Sequence, residues 1–328
     1  MRILVYGAGS LGSLLGGILS LENDVVMVAR EDHVRAIETN GLLLINKTGR
    51  EYIIGDKKWK TGGALRTFPR AFRGLSEMKD DERRADVVLL TTKSYDVAAA
   101  CEDIRQSMTP VPVVGFQNGV AHPPVMKKNL WSHECVYLGI TSVGARKIGA
   151  GVVEYTGAGR VYIWGPDQEK AETIAGVFRV GEKIGWTVER VENPWPHLWE
   201  KNMVNLAINP LTALSCVENG YVEKLASETF GQIYLKKLLA EGVVAARSDG
   251  VELDASATFN RVIEVARLTA PNRSSMLQDL ENRKKTEREA ILGEVLRRNS
   301  NAARAWTLYS LLSLVEKKTV VGTDEQKR

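Results

Sequence analysis

Lys201, Asn205 and Asn209 stand at i, i+4 and i+8, a spacing that puts all three on one stripe of a helix. Their neighbours Leu206, Ile208 and Leu211 are apolar. Asparagine is a poor mid-helix residue because its side chain competes for backbone hydrogen bonds. Two of them beside a lysine suggest a stripe kept for polar contacts. A lysine cation can stabilise a developing alkoxide and also deliver a proton, since desolvation moves its pKa readily. Asparagine amides can hold a carboxylate or hydroxyl without adding charge. The competing reading is a solvated helix face that ends at Asn209, before Pro210.

A second constellation lies at the start of the chain. Gly7-Ala8-Gly9-Ser10-Leu11-Gly12 has the form G-x-G-x-x-G. It follows a β-type run (3–6) and opens an apolar helix pattern (11–21) that leads to another β-rich run (24–29). In that context Gly7 permits a tight turn, Gly9 lets the backbone approach a pyrophosphate, and Gly12 lets helix and strand pack closely. The helix start offers free N–H groups to phosphate. The second run ends in Arg30, where an NAD-binding version usually has a carboxylate for the ribose 2′-hydroxyl. Arginine there suits a 2′-phosphate, so NADPH is favoured. Glu31 and Asp32 follow at once and keep the NADH reading open.

The elements that must position these residues fall into two groups. Buried-type apolar runs recur at 86–91, 113–116 and 136–140, as in a parallel sheet covered on both faces. Residues 33–40 read as a helix. The segment 41–73 is rich in Gly, Lys and Arg with β-type fragments such as 52–54, and reads as an extended, solvated excursion. Alternation around Gly157 and Gly159 over 152–164 predicts a hairpin, followed by a helix (169–184) and a strand (187–191). Asn193-Pro194-Trp195-Pro196 breaks the pattern, and 197–317 reads as successive helices, among them 230–246, 258–268 and 286–298. The expectation is an α/β protein. A Rossmann-like, mainly parallel dinucleotide-binding domain (1–192) precedes an all-helical substrate and catalytic domain (193–328).

Several further blocks, in order, resemble the ketopantoate reductase (2-dehydropantoate 2-reductase) family. They are Thr92-Lys93-Ser94-Tyr95, Gln117-Asn118-Gly119-Val120, 139–145, Trp199-Glu200-Lys201 with Asn205 and 209–213, Asn219-Gly220, and 274–279 with Thr286-Glu287. The resemblance runs from residue 1 to about 298. It implies a cleft for NADPH and 2-dehydropantoate, with pantoate, a precursor of pantothenate and coenzyme A, as product. It implies Lys201 as the catalytic lysine and Glu287 as a carboxylate near substrate and nicotinamide. Asn118, Asn205, Asn209, Asn219 and Ser275 become substrate-binding, and Lys93, Asn118 and Ala145 line the cofactor. Read alone, Glu287 in a charge-rich run is a solvated residue. Ser275 heads an S-x-x-Q capping box, so it reads equally as a helix N-cap. The chain departs from the family at Leu292, where Asn is frequent, and at Val143, where His is common. It also lacks Gly or Pro over 299–306, and its basic segment 46–84 is long.

The 328 residues, 44% hydrophobic and 26% charged, suffice for a sizeable core. A net charge of +4 is a weak excess that suits a small anion, and no basic run is interleaved with aromatics as nucleic acid would require. Three scattered cysteines (Cys101, Cys135, Cys216) and four scattered histidines predict neither a disulfide framework nor a metal site. With neither a leader pattern nor a membrane-length apolar run, the sequence reads as cytoplasmic. The expected partner is a small 2-oxoacid, and a homodimer is admitted. Two other readings stay open: a reductase of a different 2-oxoacid, and a non-catalytic NADP(H)-binding sensor.

Overall fold

The computed structural model describes residues 1–55 and 57–321. The chain divides into two compact units, one of Met1–Gln117 with His122–Pro194, the other of Asn118–Ala121 with the residues from Trp195 onward. The end of the helical segment expected over 193–328 therefore lies outside the described residues.

The first unit begins β1 (Arg2–Tyr6), α1 (Ser10–Leu19), β2 (Asp24–Val28), α2 (Glu31–Asn40) and β3 (Leu42–Asn46). It continues through four short strands, β4 (Tyr52–Ile54), β5 (Lys57–Trp59), β6 (Ala64–Thr67) and β7 (Arg70–Phe72). Then come β8 (Val87–Leu90), α3 (Val97–Ser107), β9 (Val113–Gly115), α4 (His122–Asn129) and β10 (Val136–Thr141). The last members are β11 (Gly144–Gly149), β12 (Val152–Gly157), β13 (Arg160–Trp164), α5 (Gln168–Phe178) and β14 (Thr187–Arg190). Eight strands form the main sheet in the order β14-β13-β10-β9-β8-β1-β2-β7. Every neighbouring pair is parallel except β10 with β13. Strands β1, β2, β8 and β9 are almost wholly apolar and buried because helices cover both faces. The order reverses between β1 and β8, the place where open α/β sheets bind ligands.

The expected hairpin over 152–164 does not form. Strand β12 joins a second, four-stranded sheet of order β11-β12-β3-β6, while β13 joins the main sheet against β10 and β14. β13 alternates, whereas β12 is buried continuously over 153–155; each fills a different sheet, and Gly157-Ala158-Gly159 is the crossing point. The basic excursion is built on the second sheet. Its β4–β5 ribbon carries Tyr52 and Trp59 inward onto Tyr155, with Trp59 and Tyr155 stacked at 5.8 Å. Its cations, including Lys47, Arg50, Lys60 and Arg66, stay exposed. The helix expected over 169–184 is α-helical to Phe178 and tightens to a 3-10 turn over Arg179–Ile184.

The second unit is helical: α6 (Trp195–Ser215), α7 (Gly220–Ser227), α8 (Thr229–Ser248), α9 (Ala255–Leu268) and α10 (Ser275–Glu281), a π-helical turn over Glu289–Gly293, α11 (Glu294–Arg298) and α12 (Ala303–Val321). Helix α6 runs through Pro210 instead of stopping before it. Proline has no N–H to give the Leu206 carbonyl, yet both residues are buried among α8, α9, α10 and α12, and that packing outweighs the lost bond. The region without Gly or Pro before α12 is organised by Glu241. Its buried carboxylate accepts from the Arg304 and Ala305 amides at the α12 N-terminus, at 2.9–3.1 Å. No helix among the described residues is long and apolar enough to cross a membrane.

One polar core residue of the first unit links its layers. His33 on α2 has no exposed surface. The Gly151 amide donates to its Nδ1 at 2.9 Å, and Ser13 Oγ on α1 lies 2.9 Å from its Nε2. Burial, with a smaller push from Lys147 against the pull of Asp32, lowers the imidazole from 6.5 to about 4. The unfolded chain therefore binds a proton on His33 below about pH 6.5, while the folded chain resists it down to about 4. Stability from this residue is full above pH 6.5 and is lost as pH falls through that window, by up to about 3 kcal/mol. Denaturant unfolding at pH 7 and pH 4.5 should show a shallower loss in His33→Gln than in the parent. Equal losses would remove His33 as the titrating group.

Candidate active site

The glycine turn is shaped by the strands beside it. Gly7 has φ +91°, and a Cβ there would sit 2.6 Å from Thr92 Cγ2. A Cβ on Gly12 would collide with the Thr91 side chain. Around Gly9 the space is open, with only the Gly7 carbonyl oxygen in reach at 3.8 Å. Thr91 Oγ donates to the Gly7 carbonyl at 3.0 Å. The Gly7 and Ala8 amides are spent on the Val28 carbonyl, and α1 begins with no side-chain cap. A tight turn, an open approach at Gly9 and an uncapped helix start form a cradle that fits a pyrophosphate. Ser10 Oγ accepts from the Lys147 amide at 3.0 Å, which brings β11, and with it Ala145, to the turn.

Arg30 ends the β2 connection as the exposed N-cap residue of α2. The two acids that clouded its reading are engaged elsewhere. Glu31 pairs with Arg35 and lies 4.0 Å from Arg73, and Asp32 lies 4.0 Å from Lys147. Among the described residues no carboxylate pairs with Arg30. Lys93 is half-buried with extended backbone, three residues past the end of β8. Lys147 and Thr91 were not singled out by sequence. Lys147 has no local signal, whereas Thr91 could have been found from its place at the end of a buried strand facing the glycine turn.

In the second unit α6 carries Lys201, Asn205 and Asn209 on one helix. Its first turns are anchored by Trp199, whose indole N–H donates to Asp249 at 3.1 Å, and Asp249 also holds Arg298 of α11. Burial lowers the Lys201 ammonium from 10.5 to about 8, and Glu287 opposes the fall. Glu287 is buried, so the structure corrects its reading as a solvated member of a charged run. Asn118 donates to Glu287 Oε2 at 2.9 Å. This bond explains why 118–121 belongs with the helical unit. Gly119 seals the junction, since a Cβ there would collide with the Ala290 carbonyl.

Several asparagine side-chain atoms of the helical unit are buried and unpaired among the described residues: Asn202 Oδ1, Asn205 Nδ2 and Asn219 Oδ1. Buried polar atoms are rarely left so without a ligand or water to meet them. Asn209 is buried too and is no helix terminus. Asn219 donates its amide to Thr269 Oγ at 3.0 Å, at the start of α7. Asn202 was missed by sequence because it lies off the Lys201 stripe; it reaches the Ile291 carbonyl at 3.5 Å. The N-cap lies one residue earlier than expected, and with Leu277 as the third helical residue no capping box forms. Ser274 is the N-cap of α10, accepting from the Leu277 amide and from Thr212 Oγ. Ser275 is therefore the first helical residue, with its side chain exposed. Two adjacent serines offer the same cap chemistry, and the Thr212 hydroxyl on α6 selects the first.

The segment that carries Glu287 is clamped from α12. Glu316 accepts from the Thr286 amide at 2.9 Å and from the Thr286 hydroxyl, and pairs with Arg288 at 2.9 Å. Arg288 also lies over the Tyr309 ring at 4.7 Å. Both chain neighbours of Glu287 are thus held by one buried carboxylate.

The sequence matches two family models, "Ketopantoate reductase PanE/ApbA" over residues 3–167 and "Ketopantoate reductase PanE/ApbA C terminal" over 195–317. It is 31% identical over 303 residues to the 2-dehydropantoate 2-reductase of Halobacterium salinarum, covering 91% of this chain and 92% of that one. It is 32% identical over 301 residues to that of Archaeoglobus fulgidus, covering 90% of each. A PanE/ApbA family ketopantoate reductase from Ralstonia eutropha has a similar structure, with TM-score 0.81, 25% identity and 97% of this chain covered against 99% of that one. D-mandelate dehydrogenase with NADH and anilino(oxo)acetate shares the fold at TM-score 0.82 and 22% identity, with 97% and 99% covered.

The Glu316 clamp is open to test by removal. Glu316→Ala leaves the half-buried Arg288 without its carboxylate partner and should cost about 3 kcal/mol in denaturant unfolding. A Glu316→Ala/Arg288→Leu double variant should recover part of that loss. Full stability in the single variant would mean that the pair does not hold the segment.

Proposed function

The chain belongs to the ketopantoate reductase family, and we propose that it reduces 2-dehydropantoate to pantoate with NADPH, on the route to pantothenate and coenzyme A. It is an oxidoreductase, and the cofactor of its family is NADPH. The observation that carries the reading is Lys201, a half-buried lysine whose desolvated ammonium is lowered to about 8 against the pull of the buried Glu287 carboxylate, on a stripe with an unpaired amide.

In this reading residues 1–192 hold the nucleotide and 193–328 hold the substrate. The glycine turn would take the pyrophosphate, Arg30 the 2′-phosphate, and Lys93 and Ala145 would line the cofactor. Bound NADPH supplies a hydride to the ketone carbon. Lys201 stabilises the oxygen as negative charge develops and gives it the proton. A pKa near the working pH suits that transfer, because the ammonium is present yet readily deprotonated. Glu287 keeps burial from stripping the charge from Lys201, and Asn118 holds Glu287. Asn118, Asn205, Asn209 and Asn219 bind the substrate's polar groups, with the exposed Ser275 hydroxyl. Without such partners the buried Asn205 Nδ2 and Asn219 Oδ1 would carry an unmet desolvation cost.

Lys201→Ala should lower kcat with ketopantoate by at least roughly a hundredfold, with NADPH affinity nearly unchanged. In the parent, kcat/KM should fall as pH rises through about 8, because the acid form of Lys201 is lost there. That alkaline limb should vanish in the variant. Near-normal kcat in Lys201→Ala would end the catalytic assignment. A wild-type chain that binds NADPH but turns over no 2-oxoacid would favour a sensor.

The cofactor reading is tested at the other end. Arg30→Ala should weaken NADPH binding by about tenfold or more, as loss of a charge-assisted pair would, and leave NADH nearly unchanged. Equal losses for both nucleotides would take Arg30 off the 2′-phosphate.

A further inference from the structure

We propose that His33 is a positioning residue for nucleotide binding, acting through the Ser13 hydroxyl to hold the Ala8 carbonyl away from the path of the pyrophosphate. The inference rests on the reading of the glycine turn given above and adds to it a group that no part of the G-x-G-x-x-G pattern contains.

The hydrogen-bond directions follow from one backbone amide. The Gly151 N–H donates to His33 Nδ1 at 2.9 Å, so Nδ1 must carry a lone pair. The neutral ring then carries its proton on Nε2, which donates to Ser13 Oγ at 2.9 Å. With its oxygen accepting from the ring, the Ser13 hydroxyl donates to the Ala8 carbonyl at 3.2 Å. Both His33 and Ser13 have no exposed surface, so no water substitutes for either.

The Ala8 carbonyl is the sensitive point of the turn. Among the described residues no backbone amide bonds it; the helix ladder of α1 starts instead with the Ser13 amide on the Gly9 carbonyl. A carbonyl oxygen turned toward a pyrophosphate would repel it, and one taken up by the Gly12 amide would spend an N–H of the cradle. Satisfying that carbonyl from a side chain avoids both. His33 lies in the first turn of the helix that follows Arg30, where its backbone amide donates to the Arg30 carbonyl at 3.0 Å. The relay therefore ties α1, α2 and the β11–β12 turn to the loop.

The full chain serves for the test, with Ser13→Ala to cut the last bond and His33→Gln to keep an amide donor near the Nε2 position. Calorimetric titration with NADPH and with NADH reads affinity, and amide hydrogen exchange of residues 8–12 without nucleotide reads the loop. Ser13→Ala should raise Kd by about five- to tenfold, as loss of one buried hydrogen bond would. The rise should be equal for both nucleotides, because the pyrophosphate is common to them. Exchange in the loop should quicken, and kcat at saturation should stay within about twofold of the parent, since uniform binding is what is lost. His33→Gln should keep both affinities within about twofold, as its amide still donates to Ser13. Unchanged affinity in Ser13→Ala, unchanged loop exchange, or a loss confined to NADPH would each overturn the relay. A parent chain that binds neither nucleotide would overturn the nucleotide reading itself, and the relay with it.

Discussion

An ammonium group removed from water is tolerable only beside a negative charge that cannot drift away. In this protein that condition falls on Lys201 and Glu287, and much of the helical unit is arranged to meet it. Trp199, Asp249 and Arg298 anchor the helix that carries the lysine. Asn118 holds the carboxylate from one side, while Glu316 holds its chain neighbours from the other. The result is a lysine whose two protonation states lie within reach of each other near neutral pH, the requirement for a group that both stabilises an oxyanion and gives it a proton.

Much of this was legible in the sequence because periodicity reports it directly. The strand, glycine turn, helix and strand at the N-terminus, the buried parallel strands and the single helical stripe of Lys201, Asn205 and Asn209 each follow from local pattern. What local pattern cannot carry is the partner of a strand. The sequence over 152–164 reads as a hairpin, yet β12 and β13 belong to different sheets. Nor can it carry burial decided from afar. Glu287 looks solvated among charges, and only Asn118 and the α12 clamp explain why it is not. His33 appeared as one of four scattered histidines, because its partners Ser13 and Gly151 are close only in the fold. The cap of α10 was misplaced by one residue because the deciding hydroxyl, Thr212, lies on another helix.

The two units solve opposite electrostatic problems with different materials. The glycine turn offers backbone N–H groups and a neutral relay, so negative charge is welcomed without a fixed cation in the cradle. The candidate site of the helical unit uses side-chain amides and one lysine under the pull of a buried carboxylate, so a small acid would be held mainly by shape and hydrogen-bond direction. Arg30 is the exception in the first unit, an exposed cation whose acidic neighbours already have other partners.

The π-helical turn over Glu289–Gly293 carries a consequence for how this segment tolerates change in length. A π turn contains one residue more than the α turn it replaces. Both kinds of turn close the same full circle, so removing a single residue from it would regularise the helix and leave the residues on either side near their present phase. A deletion in the regular helix of α11 has no such slack, since each residue there adds about 100°. Chains of this architecture can therefore differ in length by one residue at this turn and still aim Glu287, just before it, in the same direction.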